Sequence, residues 1–287
     1  MLEHFKQIVI VGTGLLGGSV GLGLKAAGYG GQIIGVGRRM ETAQRACDRG
    51  CVDEATIDLA AAVAKSDLVL VAVPLGSIAS VFEQIAGHDH GGLIVTDVGS
   101  TKMDVIAQAR QLLPSPQQFV GAHPMAGSEQ QGPDAARADL CNGKPCIVCP
   151  EPDTDARALK TVESLWEMLG MVLIRMSADD HDRQTAVISH LPHAVAVLLV
   201  VAAAELGGWD LASTGFRDTT RLASSNPPMR ADIIISNREQ IINAISILED
   251  RLQAFRHLLV TENYDGLLQL LEVSKRTRDD WLNQHHY

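Results

Sequence analysis

The sequence has no surplus of positive charge: 24 Lys and Arg stand against 34 Asp and Glu, a formal net charge of −10. Non-specific binding to nucleic acid or to an anionic membrane surface needs a basic footprint, so neither partner is expected. An anionic small molecule must then be met by individually placed arginines or lysines. Also missing is a basic segment leading into an apolar stretch near Met1, since the first strand pattern begins at Gln7; the expected compartment is the cytoplasm. The longest apolar run, residues 194–204, falls short of the about 20 residues that cross a bilayer, and no membrane span is expected. Cysteines are few and odd in number (Cys47, Cys51, Cys141, Cys146, Cys149), which argues against a disulfide framework. Cys146-Ile-Val-Cys149 has C-x-x-C spacing but lies in an apolar run that reads as strand, where buried small side chains are a better reading than redox or zinc chemistry. Internal repeats and low-complexity tracts are absent.

What is present is 287 residues with 46% hydrophobic content, enough for a large core in one or two domains. Apolar strands at residues 8–11, 33–36, 68–73, 93–97, 119–122, 145–148 and 171–174 alternate with helical segments. That rhythm predicts an α/β, Rossmann-type domain over residues 1–177, with a mostly parallel sheet covered by helices on both faces. From Ser177, an N-cap with Asp180 three residues on, the pattern turns helical to the C-terminus. Pro192 is expected to kink the first of these helices. Residues 194–206 are apolar all round and need enclosure by other helices or by a second subunit. Residues 178–287 are therefore expected to be an all-α substrate and dimerisation domain that forms a homodimer.

The stretch from Gln7 to Ser19 reads as a dinucleotide-binding turn. After a buried strand, Gly12 permits the tight turn, Gly14 lets the backbone approach a pyrophosphate, and Gly17 lets the following helix pack on the strand. Leu15 and Leu16 open that helix, whose free N–H groups bind phosphate. At the end of the second strand an NAD-binding fold places an acid for the ribose 2'-hydroxyl; here Gly37 stands there, followed by Arg38 and Arg39. An arginine fork suits a 2'-phosphate, so NADP is expected over NAD.

Three more segments lie at carboxyl ends of predicted strands, where open parallel sheets bind ligands. Val73 and Pro74 stand beside the nicotinamide end of the crevice. Asp97-Val-Gly-Ser100-Thr-Lys102 leads into a helix; Ser100 reads simply as an N-cap, but Lys102 opposes the helix dipole and calls for an anionic partner. His123 precedes a Gly- and Pro-shaped loop and faces the crevice, where a neutral imidazole can accept a hydroxyl proton while hydride leaves the same carbon. In the helical half, His190 and His193 share a helix face, a spacing that also suits a metal, yet no acid or cysteine stands near them in sequence and no metal is expected. Arg217, Asp218 and Arg221 read either as an ion-pair cluster or as a carboxylate anchor.

Taken together, the glycine fingerprint, Asp97-Val-Gly-Ser-Thr-Lys102, Ala122-His-Pro-Met-Ala-Gly127, Ser189-His-Leu-Pro-His193 and Phe216-Arg-Asp-Thr-Thr-Arg221 resemble, in order, the prephenate and arogenate dehydrogenases of tyrosine biosynthesis. The resemblance implies oxidative decarboxylation of prephenate, with arogenate as the alternative substrate. It implies that His123 accepts the proton of the ring hydroxyl, that Ser100 hydrogen-bonds the same hydroxyl and holds His123, and that Arg221 binds the ring carboxylate. His193 then lines the substrate site, while Glu129 and Asp218 form an acidic gate around Arg221. Departure from the acid that many relatives carry after the second strand resembles the NADP-using members. Two rival readings are a dehydrogenase of the hydroxyacid or glycerol-phosphate type, for which Lys275 is a poor catalytic lysine, and a non-catalytic NADP-sensing protein.

Overall fold

Residues 5–127 and 130–284 are described by a computed structural model. Among them, β1 (Gln7–Val11), β2 (Gln32–Val36), β3 (Glu54–Thr56), β4 (Leu68–Val71), β5 (Ile94–Asp97), β6 (Phe119–Pro124), β7 (Pro145–Cys149) and β8 (Val172–Arg175) form one sheet, ordered β3-β2-β1-β4-β5-β6-β7-β8. Neighbours run parallel except β6 and β7, which are antiparallel. Six helices accompany these strands: α1 (Leu15–Ala26), α2 (Met40–Asp48), α3 (Leu59–Val63), α4 (Ile78–Ala86), α5 (Met103–Leu112) and α6 (Ala156–Met168). Six more follow: α7 (Ala178–Thr185), α8 (Leu191–Leu206), α9 (Thr214–Thr220), α10 (Pro227–Ser236), α11 (Arg238–Val260) and α12 (Tyr264–Gln284).

Strand periodicity explains the layers. Successive side chains alternate faces, so Ile8 and Ile10 of β1 enter a core with Val20, Leu24 and Trp166, while Val9 and Val11 enter another with Phe82, Ile85 and Val105. Both faces being covered, β1 from Ile8 onward and β4 throughout are continuously apolar, as central parallel strands are. The chain winds outward from β1 to β3 and then returns to place β4 beside β1. This reversal opens a crevice at the carboxyl ends of β1 and β4.

Several elements depart from the sequence pattern. β3 was not legible: Glu54-Ala-Thr56 is short and polar, and exists because Ile34 of β2 offers it a register partner in Glu54. β4 stops at Val71, leaving Val73 and Pro74 in the following turn, whereas β6 continues past Ala122 through His123 to Pro124 because β7 pairs with that end, Pro124 opposite Cys146. The five cysteines are free thiols, four of them buried.

Ser177 caps α7, its hydroxyl accepting from the Asp180 N–H at 3.1 Å. Pro192 does not end the helix that follows. A π-helical turn at Ala186–His190 carries the backbone onward, with Leu191 N–H bonded to the Ala186 carbonyl, and Pro192, which has no N–H to give, follows that turn directly. The result is an unbroken helical stretch, Ala178–Leu206, of 29 residues. This corrects the expectation drawn from residues 194–204 alone: by length and composition the stretch is long and apolar enough to cross a bilayer, and only 17% of its most apolar window is buried. Within α8 only Ala196 is buried, and Val197, Leu198 and Val201 lie exposed.

By packing, the chain forms two compact units, Met1–Arg238 and Glu239–Tyr287. Helices α7 to α10 thus group with the sheet. The second unit holds the helical residues of α11 from Glu239 onward and all of α12.

Candidate active site

The glycine turn shows three different uses of a missing side chain. Gly12 has φ +100°, and a Cβ there would stand 2.3 Å from the Ala72 carbonyl oxygen. At Gly17 a Cβ would stand 2.0 Å from the Gly12 oxygen, so α1 lies against the turn only because that atom is absent. A Cβ on Gly14, the N-cap of α1, would meet no atom within 4 Å, so its backbone lies open beside the uncapped helix terminus. Between them, the buried Thr13 hydroxyl has no partner among the described residues. An open glycine backbone, a bare helix N-terminus and an orphaned hydroxyl suit the pyrophosphate of a dinucleotide. Leu15 and Leu16 form the first turn of α1, and Val73 and Pro74 border the crevice from the end of β4.

Beyond β2, a Cβ on Gly37 would lie 2.9 Å from Ala43 Cβ of α2, so any acid in its place would push that helix away. Arg38 and Arg39 are exposed and have no ion-pair partner among the described residues.

At β5, sequence left Lys102 as a cation without an anion. Its partner is Asp97: both side chains are fully buried and form an ion pair, and the lysine also donates to the Ala122 carbonyl at 2.8 Å. Asp97 in turn accepts from Gly99 N–H at 2.7 Å and Ala122 N–H at 3.1 Å. The pair thus ties the loop bearing Ser100 to the strand bearing His123. Ser100 is half-buried in this loop and is not the helix cap; the cap position of α5 is Lys102.

His123 is the half-buried residue before the end of β6. Its Nδ1 lies 2.8 Å from Nε2 of His181, the two rings meeting edge to face with centroids 5.0 Å apart. His181 is buried, and its Nδ1 lies 2.7 Å from Asp182 Oδ1. The Asp182 carboxylate caps α5 from a distance, accepting from Lys102 N–H at 2.8 Å and Met103 N–H at 2.9 Å. Burial, followed by the neighbouring His181, Lys102 and His190, holds the His123 imidazole well below its ordinary range, so it is a neutral acceptor at physiological pH.

None of this second layer was legible. His181 and Asp182 stand in an acidic first helical turn that reads as a solvated face, and no local pattern marks them. A third member, Asn237, donates to the Asp182 carbonyl at 2.7 Å and lies 3.0 Å from His190 Nδ1. Burial lowers the pKa of His190 to about 4.

His193 bonds Ser189 O through Nδ1 at 2.9 Å, which places its hydrogen there and leaves Nε2 as an acceptor, buried and unpartnered among the described residues. Its pKa is lowered by burial, and the positive charges of Arg230 and Arg221 act in the same direction. Arg221 is exposed at the head of a 3-10 turn, Arg221–Ser224; Arg230, which sequence did not single out, is half-buried with an unpaired Nε. Asp218 pairs with Arg217, Nε to Oδ1 3.2 Å, rather than with Arg221. Glu129 lies outside the described residues.

Two family models match the chain in succession: prephenate dehydrogenase, nucleotide-binding domain, over residues 20–175, and prephenate dehydrogenase, dimerization domain, over residues 177–273. The prephenate dehydrogenase of Bacillus subtilis is 35% identical over 97% of this chain and 77% of its own length. A cyclohexadienyl dehydrogenase of Zymomonas mobilis is 31% identical over 96% and 95% of the two chains. Among solved structures, prephenate dehydrogenase from Aquifex aeolicus in complex with hydroxyphenyl propionate and NAD+ superposes with a TM-score of 0.92 at 33% identity, covering 96% of this chain and 98% of that one. Synechocystis arogenate dehydrogenase superposes with a TM-score of 0.84 at 32% identity, covering 96% and 99%.

Proposed function

The chain belongs to the prephenate dehydrogenase family, and we propose that it oxidatively decarboxylates prephenate to 4-hydroxyphenylpyruvate with NADP as hydride acceptor. The observation that carries this reading is His123: a neutral imidazole at the carboxyl end of β6, with one ring nitrogen already held and the other without a partner among the described residues.

Gly12, Gly14, Leu15, Leu16 and Gly17, with Val73, Pro74 and Ser100 along the crevice, would hold the dinucleotide, which when bound would supply the hydride acceptor. His123 takes the proton of the ring 4-hydroxyl through Nε2, while Ser100 hydrogen-bonds the same oxygen. As the hydrogen on that carbon departs with its electron pair, the hydroxyl carbon becomes a carbonyl. The ring carboxylate then leaves as carbon dioxide, its bonding pair passes through the ring to the carbonyl oxygen, and His123 returns the proton to that oxygen; the ring becomes aromatic, which drives the sequence forward. Arg221 anchors the ring carboxylate before it leaves, and His193 presents its free Nε2 to the substrate. Asp218, paired with Arg217, lies three residues before this anchor in the chain.

Arg38 and Arg39, exposed and free of carboxylates, support NADP over NAD by offering a fork to the 2'-phosphate. In this reading residues 1–177 bind the dinucleotide, and residues 178–287 bind substrate and dimerise. A second copy laid against α8 would cover Val197, Leu198 and Val201, which accounts for the apolar stretch without a bilayer.

A spectrophotometric assay tests the reaction: purified protein with NADP and prephenate generates NADPH, and does so more efficiently than with NAD. Preferential turnover of arogenate would reassign the substrate, and no NADPH from either would overturn the reading.

A further inference from the structure

Three ionisable side chains stand in line, His123, His181 and Asp182, with nitrogen-to-nitrogen and nitrogen-to-oxygen separations of 2.8 Å and 2.7 Å. Only the first belongs to the chemistry described above. We propose that His181 and Asp182 are positioning residues that set the tautomer of His123, so that Nδ1 carries the hydrogen and Nε2 is the proton acceptor; this rests on the reading of His123 as the base.

The assignment follows the hydrogen-bond network from its fixed end. An ionised carboxylate only accepts, and both Asp182 oxygens already accept backbone N–H groups from the start of α5. The hydrogen in its contact with His181 therefore sits on His181 Nδ1. We take His181 as neutral, so its single hydrogen is the one on Nδ1 and its Nε2 bears a lone pair. The hydrogen between the two rings then belongs to His123 Nδ1, which leaves His123 Nε2 as the one ring nitrogen able to receive a proton. When that nitrogen is protonated in turnover, the new imidazolium keeps its Nδ1 hydrogen bond to His181, whose own bond to the Asp182 carboxylate makes it a better acceptor.

The arrangement is anchored on two sides. Asp182 is bound through its carboxylate to the N-terminus of α5 and through its carbonyl to Asn237, while Lys102, whose N–H it accepts, holds the Ala122 carbonyl one residue before His123. His181 is fully buried, so no water competes for either of its nitrogens. A packing role alone would be filled by any ring of that size and would require neither hydrogen bond.

Nitrogen NMR of the protein labelled with 15N-histidine, the His123 signals identified by their loss in His123→Asn, reads the tautomer directly. The unmodified protein is expected to show an N–H-type Nδ1 and a pyridine-type Nε2 at His123. His181→Phe keeps the ring volume without the acceptor, and should lose that pattern and lower kcat about 10- to 100-fold while the dissociation constant for NADP stays unchanged. In His181→Gln a carbonyl can again accept from Nδ1, and most of kcat should return. A protonated Nε2 in the unmodified protein, or full kcat in a folded His181→Phe variant, would overturn the proposal. If the expected tautomer is found in a protein that turns over neither prephenate nor arogenate, the relay stands and the assigned reaction falls.

Discussion

Lys102 shows how far a single residue can be read and where the reading stops. A cation in the first turn of a helix is unfavourable by itself, so the sequence alone demanded an anion; that the anion is Asp97, five residues earlier and equally buried, depends on a loop no local pattern specifies. The buried pair makes Lys102→Met a severe change. It strands the Asp97 charge, and unfolding in urea should show a loss of about 3 to 5 kcal/mol, against near-wild-type stability if the pair were solvated. At the proposed cofactor site, Gly37, Arg38 and Arg39 stand out in the sequence because an expected acid is absent. Arg38→Ala or Arg39→Ala should raise KM for NADP and leave that for NAD nearly unchanged, since only NADP loses a charge-assisted contact of about 1.5 to 3 kcal/mol. An unmodified protein that prefers NAD would remove the basis for this expectation. His181, Asp182 and Asn237 were illegible for one reason: their meaning lies in contacts across long sequence separations, and their local surroundings suit an ordinary helix surface.

Strands buried on both faces announce themselves as apolar runs, and β8, though largely exposed, is an apolar run as well; the seven strands read this way were found with small errors at their ends. β3 did not, because its stability comes from pairing with β2 and not from its own side chains. At the passage from α7 to α8, a π-helical turn stands directly before Pro192, and the helix gains length that the apolar run does not reveal. That stretch leaves Leu198 62% exposed. Covered by a second copy, it should give a stable dimer in sedimentation, and Leu198→Glu should shift the population to monomer by placing a charge in an apolar interface. A monomeric unmodified protein at micromolar concentration would contradict the arrangement.

The molecule as a whole is acidic, yet its centre is arranged to keep histidines neutral. His123, His190 and His193 all have lowered pKa values, chiefly through burial. A group harder to protonate when folded makes the unfolded chain bind more protons at intermediate pH. Stability from these histidines is therefore complete above the unfolded histidine pKa of about 6.5 and is lost as pH falls below it. With its folded pKa near 4, His190 alone should remove about 2 kcal/mol between pH 7 and pH 5. Denaturation midpoints in urea at the two pH values measure this, and an equal or higher midpoint at pH 5 would show that the imidazoles are not held neutral.

The central claim is that His123 is the base for removal of the hydroxyl proton. Turnover of prephenate by His123→Asn, measured alongside NADP binding, tests it most directly. The variant should bind NADP as the unmodified protein does and lose about two to four orders of magnitude in kcat. Near-normal kcat in a folded His123→Asn protein would contradict it.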